Sequence, residues 1–247
     1  MNRRKLVFLT AFMFLLVLSA VLSAKMVAQQ TAFTMGLISS ETPVVIIDPG
    51  HGGMDGGATS QSGSVIEKDI NLSISLKLRD FFLLNGFQVL MTRDTDKSIH
   101  DSTAVTLKQQ KTSDIKNRLK MLNNTPNSVF LSIHQNFFEQ SKYWGAQIFY
   151  SPNTEESAAL ADFLQASFIT RLQPESKRQI KEAGSSLYIL KNAKKPAVLV
   201  ECGFLSNPDE AEKLSTEEYQ NQIAFTIFSG YMEYLQSVVY SPNEGNQ

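Results

Sequence analysis

The sequence predicts an α/β fold: one domain on a mostly parallel, mixed sheet flanked by helices, preceded by an apolar N-terminal segment. Three observations predict it. Val44-Val45-Ile46-Ile47, Val129-Phe130-Leu131-Ser132-Ile133 and Ala197-Val198-Leu199-Val200 are short β-branched runs that read as strands buried on both faces. Stretches of helical period lie between them, and strands alternating with helices give a parallel sheet. With 247 residues, 43% of them hydrophobic and 19% charged, the chain can bury one sizeable core, and its short connections leave little room for a second domain.

The N-terminus is set apart. Arg3, Arg4 and Lys5 precede Leu6 to Ala24, a run of 19 residues without charge. A basic region followed by an apolar one is an export signal, and this run is close to the length of a spanning helix. Residues 1–28 therefore read as a signal peptide or a retained membrane anchor, with the rest of the chain exported, because the positive charge keeps the short end inside. Residues 29–42 read as a linker. Four of the 23 basic residues and none of the 24 acidic ones precede residue 29, which leaves 19 against 24 and a formal charge of −5. No basic run and no aromatic-basic interleaving is present, which argues against nucleic acid as a partner. Cys202 is the single cysteine, so the exported chain has no internal disulfide, and it reads as a small core residue.

The first strand leads into a loop with glycines at 50, 52, 53, 56, 57 and 63. It lacks G-x-x-x-x-G-K-[ST] and is not a phosphate loop. Glu67 opens a helix to about Asn85, with Ile70, Ile74 and Leu78 at fours and Phe81 and Phe82 extending the stripe. Ser64-Val65-Ile66-Glu67 fits a capping box, and on that pattern alone Glu67 is a cap. Phe87 to Met91 is a second strand. Residues 94–113 are polar and read as a functional or disordered loop, with His100 solvated inside it. Ile115, Leu119 and Leu122 mark a short helix ending near Asn123-Asn124, before the strand that ends at His134.

Gly145 to Tyr150 is a further strand, followed by a helix from Thr154 or Ser157 with Leu160, Leu164 and Phe168 on one face. Pro174 to Glu182 reads as a charged connector and Leu187 to Leu190 as a short strand. Lys194-Lys195-Pro196 is a turn. Asn207-Pro208 turns into a short acidic helix. The last helix runs from about Thr216, with Tyr219, Ile223, Ile227, Tyr231 and Leu235 at fours, and residues 241–247 read as a loose tail.

Sites in open α/β sheets lie beyond the carboxyl ends of the strands. His51, His134 and Glu201 all fall there, and Glu67 follows the first loop. His51, Glu67 and His134 would give zinc three protein ligands and leave a fourth position for water. Glu201 would then serve as an acid/base. The bland alternatives stand beside this: His51 fills a turn, His134 caps a strand, and Glu201 pairs with Arg93 or Arg118. The chain has only three histidines, which makes two at strand ends a pointed placement.

Four stretches carry a resemblance. They are Val45-Ile46-Ile47-Asp48-Pro49-Gly50-His51-Gly52-Gly53, Glu67-Lys68-Asp69-Ile70-Asn71-Leu72, Ser132-Ile133-His134-Gln135-Asn136, and Pro196 to Pro208 around Glu201. In this order and spacing, over about residues 43–237, the chain resembles the zinc N-acetylmuramoyl-L-alanine amidases of bacterial cell-wall hydrolysis. The resemblance implies a catalytic domain over 43–240 with a six-stranded sheet. It also implies zinc on His51, Glu67 and His134, Glu201 as the catalytic acid/base, and cleavage between the lactyl group of N-acetylmuramic acid and L-alanine. The partner would be peptidoglycan, at the outer face of the membrane or in the wall. The Trp144 to Tyr150 stretch, the single-domain plan and the membrane-proximal N-terminus are similar to the spore-cortex type. That type removes stem peptides so that muramic-δ-lactam can form, a mark needed for germination, and its place is the forespore intermembrane space. Gln135 stands where many members have a small residue, and 94–113 matches poorly. With no wall-binding repeat, targeting falls to the N-terminal segment or to a protein partner, which could also activate the enzyme. The competing readings are a zinc peptidase or deacetylase acting on the same polymer, and a non-catalytic wall-binding protein.

Overall fold

Six strands form one sheet in the order β2-β1-β3-β6-β4-β5. The computed structural model describes residues 42–240, and before them only helical positions 12, 13, 15–17, 19–21, 23 and 25. The anchor expected at 1–28 lies largely outside the described residues, as do the linker at 29–42 and the tail at 241–247. Among the described residues no helix is long and apolar enough to cross a membrane.

The elements are β1 (Val44–Pro49), α1 (Glu67–Leu84), β2 (Val89–Met91), α2 (Leu107–Asn124), β3 (Ser128–Asn136), β4 (Gln147–Tyr150), α3 (Glu155–Arg171), β5 (Lys181–Glu182), α4 (Tyr188–Asn192), β6 (Ala197–Phe204), α5 (Pro208–Leu214) and α6 (Glu217–Tyr240). β1 pairs in parallel with β2 and β3, and β3 with β6; β4 runs antiparallel to β6 and parallel to β5. This is the mixed, mostly parallel sheet that the apolar runs predict. Val45, Ile47, Val129, Leu131 and Ile133 alternate with Ile46, Phe130 and Leu199, and all are buried, so the central strands are covered on both faces. α6 packs against both α1 and α3, with Tyr231 edge-on to Phe82 at 5.0 Å between ring centroids. On the other face α2 packs with α4, around Ile46, Leu122, Phe130, Leu190 and Leu199.

Three local expectations change. Leu187 to Leu190 is not a strand: Tyr188–Asn192 is a short helix that seats Leu190 in the core, and the edge of the sheet is taken by Lys181–Glu182 inside the expected connector. The polar stretch 94–113 is loop only to Thr106. There a capping box with Gln109 starts α2, eight residues before Ile115. The buried stripe of α2 is Asp114, Arg118 and Leu122, so two of its inward positions carry charge and hydrophobic periodicity does not reveal them. Glu67 is not part of a capping box. The N-cap is Ile66, without a side-chain cap, and the Glu67 and Lys68 amides donate to the carbonyls of Ala58 and Gly56.

The buried charges of α2 hold the first loop. Asp48, at the end of β1, accepts from Arg118 Nη1 at 2.5 Å, Thr92 Oγ1 at 2.6 Å and Ser132 Oγ at 2.6 Å. Arg118 also donates to Asp114 Oδ2 at 2.6 Å, to the Pro49 carbonyl at 2.8 Å and to the His51 carbonyl at 2.7 Å. Arg93 donates to the carbonyls of Pro49 and Gly50, both at 2.9 Å, and to that of Lys68 at 2.8 Å. Burial alone would push the Asp48 carboxyl up, but the Arg118 guanidinium and the two hydroxyls hold it below its ordinary range. Its contribution is thus fully present above the unfolded carboxylate range and lost as pH falls below that range through the lowered folded-state value. Replacing Arg118 with Met strands Asp48 without its cation. The expected loss is about 3–5 kcal/mol in urea unfolding, partly recovered by adding Asp48→Asn. A loss under about 1 kcal/mol would show that the pair does not secure the loop.

Candidate metal centre

The pairing of β3 with β6 puts His134 directly beside Glu201, on one face of the sheet at its carboxyl end. β1 delivers His51 to the same end, and the Gly50 amide, donating to the Ile133 carbonyl at 2.9 Å, carries the pairing one residue past the strand. His51 has φ 61°, a left-handed conformation that a non-glycine residue keeps only when its surroundings fix it. Arg118 on its carbonyl and Asp55 on its ring supply that constraint. Glu67, the first residue of α1, is 3% exposed.

Ligand atoms of His51, Glu67 and His134 lie within 4.8 Å of one another. Glu67 Oε1 is 3.1 Å from His51 Nε2 and 3.0 Å from His134 Nδ1. The other ring nitrogen of His51 meets Asp55 Oδ2 at 2.9 Å, the carboxylate-histidine arrangement that orients a metal-ligating imidazole. Glycine makes the approach possible. A Cβ at Gly50 would overlap the His134 ring, and one at Gly57, where φ is 68°, would overlap Glu67 Oε2 and the His51 ring. Two imidazole nitrogens and one carboxylate oxygen, on three separate elements, match the donor chemistry of a zinc site with an open position. His100 takes no part; it is half-buried, with Nδ1 against the Ser98 hydroxyl.

The electrostatics are polarised. Burial would raise the Glu67 carboxyl, but the hydrogen bonds of His134 and His51 hold it well below the usual range. Burial would lower the His51 imidazole, but its contacts with Asp55 and Glu67 raise it to about 9. Glu201 is the opposite case. Burial lifts its carboxyl to about 7, and its Oε2 is out of reach of solvent with no hydrogen-bond partner among the described residues. Neither arginine considered as its partner reaches it: Arg118 is spent on Asp48, Asp114 and two carbonyls, and Arg93 on backbone carbonyls. A half-buried residue whose inner carboxylate oxygen has no partner, with its carboxyl raised toward neutrality beside a cluster of metal-type donors, has the properties of a proton carrier. Cys202 next to it is fully buried, and burial pushes its thiol up, in keeping with a core role.

All four residues singled out in the sequence meet at this point. Asp55, Arg93 and Arg118 fix the His51 loop, and no local pattern marks them for that role. Asp55-Gly56 reads only as a turn, and nothing local marks an arginine as a binder of carbonyls. An apolar pocket of about 180 Å³, lined by Ile115, Leu187, Tyr188 and Leu199, adjoins His134.

The chain has relatives among known proteins. A family model described as N-acetylmuramoyl-L-alanine amidase matches residues 45–232. The germination-specific N-acetylmuramoyl-L-alanine amidase of Bacillus subtilis (strain 168) is 33% identical over 192 residues, 78% of this chain and 79% of the relative. The solved structure of the CwlD amidase from Clostridioides difficile, in complex with the GerS lipoprotein, is similar at TM-score 0.76 and 40% identity, covering 79% of this chain and 99% of that one. N-acetylmuramoyl-L-alanine amidase AmiC2 of Nostoc punctiforme aligns at TM-score 0.66 and 28% identity, over 78% and 97%. The family match runs from β1 into α6 and takes in His51, Glu67, His134 and Glu201, and on it the chain belongs to the N-acetylmuramoyl-L-alanine amidases, hydrolases of peptidoglycan.

Proposed function

We propose that this amidase cleaves the bond between the lactyl group of N-acetylmuramic acid and L-alanine with zinc held by His51, Glu67 and His134, and with Glu201 as the catalytic acid/base. The observation that carries the reading is the convergence of three metal-type donors beside a carboxyl whose Oε2 is buried without a partner. A zinc ion there would polarise the scissile carbonyl and acidify the attacking water. Glu201 takes the proton of that water and returns it to the amide nitrogen as the C–N bond breaks, so the alanine leaves as a free amine. A carboxyl near neutrality suits both halves of this exchange, because it gains and loses a proton at similar cost. Asp55 holds the His51 ring with Nε2 toward Glu67, and the Arg118 and Arg93 contacts keep the loop in place.

The biological setting we infer is cortex maturation in the spore, with stem-peptide removal preceding muramic-δ-lactam formation. The germination-specific relative supports it. The CwlD structure, solved with a lipoprotein, supports a protein partner for targeting or activation. Residues 1–28 would carry the chain across the membrane, as a cleaved signal or as an anchor. They would place the 43–240 domain at the outer face of the membrane or in the wall, here the forespore intermembrane space.

Glu201→Gln removes the proton carrier and keeps the shape. It is expected to retain one zinc per chain and an unchanged melting temperature while releasing stem peptide from muropeptides at least 100-fold more slowly. Product masses decide the bond: a new free L-alanine amino terminus supports the amidase reading, and a cut within the stem or loss of acetate rejects it. His134→Ala is expected to lose the metal.

Metal uptake should also depend on pH. In the metal-free protein the His51 imidazole is raised to about 9, so near pH 7 it carries a proton that must leave when a metal binds. Zinc affinity is therefore expected to rise with pH, roughly tenfold per unit for one released proton, and to level off above about pH 9. Competition titrations at pH 7 and pH 8 read this directly, and equal affinities at the two would contradict the charge arrangement around His51.

A further inference from the structure

Asn71 and Gln135 have no part in the chemistry above, yet they are 0% and 3% exposed beside Glu67. Asn71 lies one turn beyond Glu67 on α1, so the two side chains share a face. Gln135 follows His134 on β3, and strand alternation turns it to the opposite face of the sheet, toward α1. The hydrogen bonds form a directed chain. Asn71 Nδ2 lies 3.3 Å from Glu67 Oε1 and 3.3 Å from the Gly50 carbonyl. Both are acceptors, so the amide nitrogen must face them and Oδ1 must face away. Gln135 Nε2 donates to that Oδ1 at 3.1 Å. Each amide thus fixes the orientation of the next.

This chain acts on the one degree of freedom Glu67 would otherwise keep. The Ala58 amide holds Oε2 at 2.7 Å, and the Gln135 amide approaches Oε1 at 3.2 Å. Asn71 completes the hold on Oε1, the oxygen that faces both imidazoles. Through the Gly50 carbonyl it also ties α1 to the residue before His51. We propose that Gln135 and Asn71 are positioning residues, a relay that sets the angle of the Glu67 carboxylate and its registry with the His51 loop, and so the zinc affinity of the centre. The proposal rests on the reading of Glu67 as a metal ligand. Gln135 acts only through Asn71, because its side chain makes no hydrogen bond to Glu67.

A merely structural role is separable from this one. Gln135 Oε1 is buried with no partner. Replacing Gln135 with Met removes that uncompensated acceptor but also the donor to Asn71 Oδ1, so one unpartnered buried oxygen replaces another and the metal-free melting temperature should change little. The test measures zinc dissociation constants by competition with a chromophoric chelator, and metal-free melting temperatures, on the full-length chain and on Gln135→Met, Asn71→Leu and the double variant. Asn71→Leu is expected to weaken zinc binding by about 10–100-fold and Gln135→Met by about tenfold, the range for groups that orient a ligand. The double variant should bind as Asn71→Leu does, since Gln135 has nothing to act on once Asn71 is gone. A Gln135→Met affinity within twofold of wild type overturns the relay, as does a double variant whose loss equals the product of the two single losses. If Asn71→Leu fails to fold, Gln135→Met alone decides. A wild-type chain that takes up no zinc removes the ligand reading and the relay with it, whereas normal wild-type uptake with an unaltered Gln135→Met removes the relay alone.

Discussion

The clamp of two buried arginines on the backbone after β1 is the constraint from which the site follows. Arg118 and Arg93 between them donate to the carbonyls of Pro49, Gly50 and His51. Those carbonyls lie at and just past the end of β1, and guanidinium forks are suited to binding several acceptors in a fixed geometry. Held this way, His51 keeps a left-handed backbone, Gly50 stays against the His134 ring, and the loop from 52 to 66 is free to bring α1 back with Glu67 at its first turn. Without the clamp the loop would retain its glycine freedom and lose its one productive shape.

The same interaction explains why the site's surroundings are polar although the sheet beneath is apolar. Asp48 and Asp114 set two negative charges against the two positive charges of Arg118 and Arg93, so the network buries its ions without a net charge. Satisfied networks of this kind add specificity of shape more than stability. Here the shape specified is that of the loop bearing the first of the convergent donors.

The sequence reading recovers the parts of the fold whose burial is apolar. β1 and β6 open on unbroken apolar runs, the run of β3 is broken only by Ser132, and α6 shows its stripe through Ile223, Ile227 and Tyr231. It fails where burial is polar or the element is short. α2 turns Asp114 and Arg118 inward, so a hydrophobic pattern finds it only from Ile115. The run Leu187 to Leu190 is as apolar as a strand, and only its place over the sheet makes it a helical turn. For the site, the four residues that meet are legible because each closely follows an apolar run or opens a helix. Asp55, Asn71 and the two arginines are not, since their roles depend on contacts across 4 to 70 positions of chain that no local pattern encodes. The capping-box reading of Glu67 shows the converse error. A correct local pattern, S-x-x-E, yields to tertiary structure when the loop carbonyls of Gly56 and Ala58 take the helix's first amides.

Two buried acids on the same face of the sheet show how the chain separates support from chemistry. Asp48 is met by a guanidinium and two hydroxyls, which leaves it ionised and fixed. Glu201, across β3 and two residues further toward the carboxyl end, pairs with neither Arg93 nor Arg118, both of which are committed to backbone carbonyls. Burial keeps the Glu201 carboxyl near neutrality, and the commitment of the arginines leaves that undisturbed: a free guanidinium beside it would hold it ionised and poor at returning a proton. Positioning the loop and tuning the acid are consequences of one allocation of charge. A substitution that releases Arg93 or Arg118 from its carbonyls would therefore disturb proton transfer at Glu201 as well as the geometry of His51.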